Sequence, residues 1–396
     1  MSVKEAPFTS LLSNIVDNRG RTAPTATSGI PLIATNCIKD GRLYPMFEKV
    51  RYVTQETYDT WFRAHPMPGD IIFVCKGSPG RVALVPDPVS FCIAQDMVAV
   101  RADPTKVYPR YLLAALRSAE VRRRIDGMHV GTMIPHFKKG DFKNLQIPLL
   151  DIDDQTFVGD WYFDLSSKIE SNRRAIALLQ DLIRATFVEW KERFPAKRTA
   201  TFGDFADIYG GATPKTDVWD YWNGGLAWVT PTDVTALSAP YLFRTARTIS
   251  EAGLTSTSAS LHPIGTILMT SRATIGAFAV NEVPTATNQG FIAVRPREPH
   301  HRWFLLEEMR SRVPEMLDRA NGSTFMELSR GNFKAISIDL PTESELTELH
   351  SLLGPLHERS SQLDRECSNL ANFRDTLLPE LLSGRIRVLE AQEVPV

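Results

Sequence analysis

One order of motifs runs through this chain twice, so whatever fold the first copy takes, the second takes as well. Residues 30–36 (IPLIATN) align with 225–233 (GLAWVTPTD), each an apolar strand running into small and polar residues. Residues 68–72 (PGDII) then match 264–268 (IGTIL). A turn with a basic residue comes next, 76–81 (KGSPGR) in one half and 271–276 (SRATIG) in the other. After it, 94–96 (AQD) before the strand 97–101 matches 288–290 (NQG) before 291–295, and helix-like stretches follow at 110–124 and 303–319. The closing segments 131–143 and 322–334 keep one constant offset from Gly131 and Gly322 through Phe142-Lys143 and Phe333-Lys334. Unrelated folds sharing only Gly-rich turns would not hold strands, basic turns and helices in one order.

A long helical pattern follows each copy. In the first, Trp161, Leu165, Ile169, Ile176, Leu179 and Ile183 recur at steps of three and four, with Phe157 before them and Phe187 and Trp190 after. Such spacing places them on one helical face. No proline interrupts 151–194, which allows a helix of about 60 Å at 1.5 Å per residue. The second pattern, Leu346, Leu349, Leu353, Leu356, Ser360, Leu363, Cys367, Leu370, Phe373 and Leu377, has coiled-coil spacing. The two stripes are expected to face each other, with Asn172 and Ser360 as polar register markers. Pro355 should start or kink the second helix, leaving 345–353 as a short leading segment. The expected organisation is an α/β domain over 1–150, a central long helix over 151–195, a second α/β domain over 196–341, and a distal helix with tail over 342–396.

Composition narrows the function. The chain has 396 residues, 43% hydrophobic and 23% charged, more than one ordinary core accommodates. No apolar run is long enough to span a bilayer, and the first sixteen positions lack the apolar stretch of a signal peptide, so a cytoplasmic location is expected. Cys37, Cys75, Cys92 and Cys367 are scattered without a CxxC pair, and are read as reduced, buried small hydrophobes. A net charge of -1 argues against indiscriminate coating of nucleic acid but leaves room for local basic patches.

Signatures of catalysis are missing from the sequence. There is no Asn-Pro dipeptide to build the element with which amino-methyltransferases hold a flipped base, no GxGxxG and no GxxxxGK[ST]. Asp141-Phe142-Lys143 resembles the acidic end of a nuclease site, yet its counterpart Asn332-Phe333-Lys334 keeps the lysine and loses the acid, which suits phosphate contact better than metal chemistry. The pairs His129/His136, His300/His301 and His350/His357 lack a matching carboxylate or cysteine cluster in sequence and are read as surface histidines, so no metal ligands are assigned. What remains suits contact. Lys76, Arg81 and Arg272 in the basic turns, Lys138, Lys139 and Lys143, and Arg330 and Lys334 can neutralise phosphates. Asn36, Gln95, Thr213, Thr230, Thr232, Asn288 and Gln289, in turns and loops, can meet base edges, although such residues often only cap backbone.

At residues 210–216 (GGATPKT), which bring in Lys215 and Thr216, followed by 221–224 (YWNG) and 228–233 (WVTPTD), the chain resembles the opening of a target recognition domain in type I restriction-modification specificity subunits. The tail 374–388 (RDTLLPELLSGRIRV) is similar to that family's distal helix, and 168–172 (KIESN) onward to its central helix. The first-half opening, Asn18 to Pro24, echoes the second only loosely. The resemblance implies an α+β fold: two pseudo-two-fold related target recognition domains separated by two long antiparallel coiled-coil helices. It implies a non-catalytic subunit in which each domain reads one half of a bipartite, asymmetric DNA site while the helices set the gap. The implied partners are double-stranded DNA, two modification (methyltransferase) subunits and restriction (translocase/endonuclease) subunits, with S-adenosylmethionine, ATP and Mg on those partners and no cofactor here. The other readings are a helical adaptor and a self-contained DNA-modifying enzyme.

Overall fold

The computed structural model describes residues 4–18, 22–128, 135–195, 198–321 and 326–386. Two compact units divide the chain: residues 1–171 with 367–396, and residues 172–366. In unit one a four-stranded antiparallel sheet runs Leu12–Val16, Met97–Ala102, Ile71–Val74, Val82–Leu84. A three-stranded sheet has Ile30–Ile33 between antiparallel Arg51–Val53 and parallel Cys92–Ile93. Lys4–Pro7 pairs with Gln146–Leu149. Unit two repeats this plan. Its larger sheet runs Ala206–Gly210, Phe291–Pro296, Ile267–Thr270, Phe278–Asn281 and adds Tyr241–Leu242. Its three-stranded sheet has Trp222–Val229 between antiparallel Arg247–Ile249 and parallel Thr285–Thr287, and Arg198–Thr201 pairs with Ser337–Leu340.

The duplication extends to single hydrogen bonds. Gly80 N–H donates to Val74 and Gly276 N–H to Thr270, both at 3.0 Å, closing the two basic turns. Both glycines sit at positive φ, 82° and 88°, where a Cβ is strained. Cys75 N–H reaches Asp96 and Ser271 N–H reaches Gly290, while Phe137 N–H donates to Cys75 and Leu328 N–H to Ser271. The aligned ends Gly131-Thr132 and Gly322-Ser323 lie outside the described residues, as do Arg19 to Arg21, His129 and Arg387-Val388.

The central strands read as unbroken apolar runs because both of their faces are covered. Ile71, Phe73, Val98 and Val100 enter one core, beneath Tyr111 to Leu116 of the helix Pro109–Arg117 and beside Phe8, Phe137 and Phe142. The alternate residues Ile72, Val74, Met97 and Ala99 enter a second core with Ile33, Phe91 and Ile93. The helix-like stretches 110–124 and 303–319 each prove to be two helices, Pro109–Arg117 with Ala119–Met128 and Arg302–Ser311 with Val313–Asp318. At the first break Ser118 is extended, and its hydroxyl accepts the Val121 N–H and donates to the Ala115 carbonyl, terminating one helix and starting the next.

The long helices are Ile152–Arg193, 42 residues, and Glu343–Leu382, 40 residues. In unit one Cys367 Sγ lies 3.6 Å from the Ile169 carbonyl, Arg374 donates to Ser166 at 3.0 Å, and the Trp161 and Phe373 rings are 6.0 Å apart. In unit two Gln180 donates to Ser360 at 3.1 Å and Arg193 meets Glu348 at 3.4 Å. Low numbers on one helix meet high numbers on the other, so the segments are antiparallel within each unit. Of the expected seam, Ile169, Ile176, Ile183, Leu349, Leu353 and Leu363 are buried, and Trp161, Leu165, Leu179, Leu356, Leu370 and Leu377 are half-buried.

Three expectations about the helices need correction. Phe157 and Phe373, placed in the stripes, are 41% and 50% exposed. Near Phe157 the helix turns a different face inward, burying Val158 and Tyr162 in the core beneath Pro109–Arg117. Gly159 is the closest approach, where a Cβ would lie 2.6 Å from the Tyr111 nitrogen. Pro355 does not begin the distal helix, which starts twelve positions earlier at Glu343 and passes through it. The lost N–H removes one hydrogen bond, while Leu349, Leu353, His357 and Ser360 on either side are all buried and hold the helix by packing.

Candidate nucleic-acid interface

In unit two, one end of the larger sheet gathers polar groups from four chain segments. The strand Ala206–Gly210 ends at Gly210-Gly211, and Gly211 lies so close to the next segment that a Cβ would stand 1.9 Å from the Asn288 carbonyl oxygen. The Ala212 N–H donates to Thr287 at 2.9 Å and its carbonyl accepts Trp228 Nε1 at 3.2 Å, while Asn288 N–H donates to Val229 at 3.2 Å. These bonds seat Thr213 beside Gln289, whose amide oxygen accepts its hydroxyl proton. Asn288 folds its Oδ1 onto the Gly290 N–H at 2.9 Å, an Asx turn that leaves its amide nitrogen available. Ser271 N–H bonds Gly290 at 2.8 Å, bringing Arg272 to the same place, where it pairs with Glu327 at 2.8 Å. Arg330 lays its guanidinium against Gly210, with Nε 3.1 Å from where a Cβ would be.

The structure therefore brings together Thr213, Asn288, Gln289, Arg272 and Arg330. Thr230 is next to them, but its N–H and hydroxyl both donate to the Asp233 carboxylate, at 2.8 and 2.6 Å, so it caps the helix Pro231–Thr235. Thr232 is exposed on that helix. Lys215 and Thr216 are exposed farther along the loop, where the Lys215 carbonyl accepts Trp222 Nε1 at 3.1 Å. Lys334 sits at the other end of the helix Arg330–Lys334 and packs on Gly203 rather than Gly210.

In unit one the equivalent end holds Lys76, whose backbone forms an isolated antiparallel β-bridge with that of His136, and Lys139, paired with Asp17 just beyond the strand Leu12–Val16. Gln95 reaches Thr22 at 3.4 Å, and the Asn36 amide donates to the Glu48 carbonyl at 2.6 Å. Arg81 pairs with Asp40 at 3.1 Å, which also takes Arg122 at 3.2 Å. Lys138 and Lys143 are exposed. Lys76, Lys138, Lys143, Lys215, Arg330 and Lys334 have no carboxylate partner among the described residues, so their charge faces solvent.

Sequence reasoning missed two aromatic features here. Trp219 is 79% exposed, and Arg247 stacks its guanidinium 3.7 Å from the Trp222 ring. The only signal for them was the aromatic density of 219–222 (WDYW). The histidine reading is also corrected. His357 is fully buried, stacked on Trp303 at 3.8 Å, its Nδ1 3.0 Å from the Tyr241 hydroxyl. His300 and His301 both reach Glu343, a carboxylate that primary structure separates from them by forty-odd positions. Hydrogen bonds from His301 and then His300 hold Glu343 below the usual carboxylate range. All four cysteines are buried and free. No helix among the described residues is long and apolar enough to cross a membrane.

Residues 197–358 match the type I restriction modification DNA specificity domain. Over 152 residues the chain is 34% identical to the type I restriction enzyme MjaIX specificity subunit of Methanocaldococcus jannaschii, covering 38% of this chain and 35% of that protein. Over 186 residues it is 24% identical to the HindI specificity subunit of Haemophilus influenzae, covering 46% of this chain and 40% of that one. The matches thus span well under half the length of these relatives. The crystal structure of a type I restriction-modification S subunit from M. genitalium shares the fold, with a TM-score of 0.59 at 18% identity over 96% of this chain and 95% of that chain. Residues 197–358 thus resemble the type I restriction modification DNA specificity domain, and the chain shares the α+β fold of the M. genitalium S subunit.

Proposed function

We propose that this protein is the DNA-reading subunit of a type I restriction-modification complex. Each unit reads one half of a bipartite, asymmetric site, and the helix pair sets the spacing. The observation that carries the reading is the convergence of Thr213, Asn288, Gln289, Arg272 and Arg330 at one sheet end. Amide groups there can meet base edges while the guanidiniums hold phosphates. Lys76, Lys139 and Gln95 occupy the corresponding end in unit one. In this reading the chain is non-catalytic and works in the cytoplasm. Two modification subunits bring S-adenosylmethionine and methylate the target base, and restriction subunits bring ATP and Mg.

The test is adenine methylation mapped across the host genome with and without this chain. Loss of one bipartite motif on deletion is the expected result and names the target. Persistence of every methylated motif while the partner subunits are expressed would overturn the proposal and favour an adaptor. Methyl transfer by the purified chain alone would instead favour a self-contained enzyme.

A further inference from the structure

The 3-10 turn Pro299–His301 and the first turn of the distal helix, both in unit two, place two imidazoles and a carboxylate together. Nε2 of His300 lies 3.0 Å and Nε2 of His301 3.1 Å from the same oxygen, Oε2 of Glu343. The three candidate ligand atoms all lie within 4.8 Å of one another. Ligands around a tetrahedral zinc stand about 3.3 Å apart, given bonds of about 2.0 Å, so closing on an ion asks for small movements. The rings are held in place beforehand. His301 is 5% exposed and stacked on Phe205 at 4.6 Å, and His300 packs edge-on against it at 4.4 Å. Glu343 is exposed, which leaves the open side to water.

We propose that His300, His301 and Glu343 form a binding site for a divalent transition metal of the zinc class, held by two imidazole nitrogens and one carboxylate oxygen with the remaining positions open to water. Nitrogen-rich ligation selects Zn2+, Co2+ and Ni2+ over Mg2+, which demands oxygen ligands in an octahedron. On binding, each neutral imidazole presents its Nε2 lone pair and carries its proton on Nδ1. The His301 Nδ1 has no partner among the described residues. Ligands lacking that outer hydrogen bond typically lose 10–100-fold in affinity, so binding weaker than at a site with that bond is expected. The ion would tie the start of the distal helix to the turn that precedes Arg302–Ser311. This inference is independent of the DNA-reading proposal.

The test is equilibrium dialysis of the full chain against Zn2+, with Co2+ visible absorption as a second readout and Mg2+ as the control. One Zn2+ per chain is expected, with nitrogen-type Co2+ bands and no competition from Mg2+. His300→Ala and Glu343→Ala, both at solvent-accessible side chains, should each weaken binding at least tenfold with the circular dichroism spectrum unchanged. Absence of saturable binding, or unchanged affinity in both variants, would overturn the assignment.

Discussion

Replacing Gly211 by alanine tests whether the close seating of the strand end on the Thr287-Asn288 segment builds the proposed reading surface. The new Cβ would stand 1.9 Å from the Asn288 oxygen and 2.4 Å from both the Thr287 carbonyl oxygen and its hydroxyl. Two of these are backbone atoms, so no rotamer change relieves the clash, and the segments must part by more than an ångström. One hydrogen bond crosses this seam, Ala212 N–H to Thr287, and parting the segments also breaks one of the two that anchor its sides, Trp228 Nε1 to Ala212 or Asn288 N–H to Val229. At about 1 kcal/mol net for each of these two, with about 1–3 kcal/mol for overpacking and a gain of up to about 1 kcal/mol from a stiffer unfolded chain, the net cost is about 2–4 kcal/mol. Gly331 is the internal control. It lies in the helix Arg330–Lys334, the nearest atom to its Cβ position is Ser329 Oγ at 3.8 Å, and Gly331→Ala should stabilise by about 0.4–1 kcal/mol. Urea unfolding followed by tryptophan fluorescence measures both. In DNA binding, Gly211→Ala should lose discrimination at the half-site read by residues 172–366 and keep it at the other. A Gly211→Ala protein within about 1 kcal/mol of wild type, or one reading both half-sites normally, refutes the reasoning.

Arg330→Ala should reduce the slope of log K against log salt by about 0.9, one phosphate contact, and weaken binding alike on all sequences. Lys139→Ala should change it less, because Lys139 is already paired with Asp17; equal slopes for wild type and Arg330→Ala count against the phosphate role. Gln289→Ala is expected to cost about 1–3 kcal/mol of discrimination at a single base pair, read by competition with singly substituted sites, and a uniform loss over all positions would contradict it. His262 is buried, neither ring nitrogen has a hydrogen-bond partner among the described residues, and burial, then the Arg295 charge, lowers its pKa from 6.5 to about 4. The folded protein keeps this ring neutral while the unfolded chain protonates it below pH 6.5, so stability falls with falling pH between 6.5 and about 4, by up to about 3 kcal/mol. His262→Asn should flatten that part of the urea-midpoint profile, and an unaltered slope sinks the argument.

The repeated architecture was legible because it rests on patterns that need no partner to be seen. Apolar runs such as 71–74 and 267–270 recur between glycine turns, and steps of three and four along 161–190 mark a helix face. The failures share a different cause. Phe157 satisfies the helical period, yet the helix there turns toward Val158 and Tyr162 because Gly159 admits the Tyr111 backbone. Periodicity gives the face of a helix relative to itself and not which neighbour covers it. The role of Thr230 depended on Asp233 three residues on, a capping pattern present in the sequence but competing with the base-contact reading. Glu343, by contrast, meets His300 and His301 only through the fold, and nothing local announces the contact.

The duplication also shows where the two units were free to differ. Lys139 and Arg330 follow equivalent backbone bonds, Phe137 to Cys75 and Leu328 to Ser271, and both end beside the sheet's first strand. In unit one the chain leaving that strand supplies Asp17, which neutralises the lysine; in unit two it supplies Gly210 and Gly211, over which the arginine lies without a carboxylate partner among the described residues. An exposed ion pair is worth at most about 1 kcal/mol, so neither arrangement is imposed by stability. The backbone bonds that close the basic turns recur in both units because the sheet requires them, whereas side chains at the strand ends are left to vary in charge and reach. Under the proposed function, two units built on one frame can thereby present different surfaces to the two halves of an asymmetric DNA site.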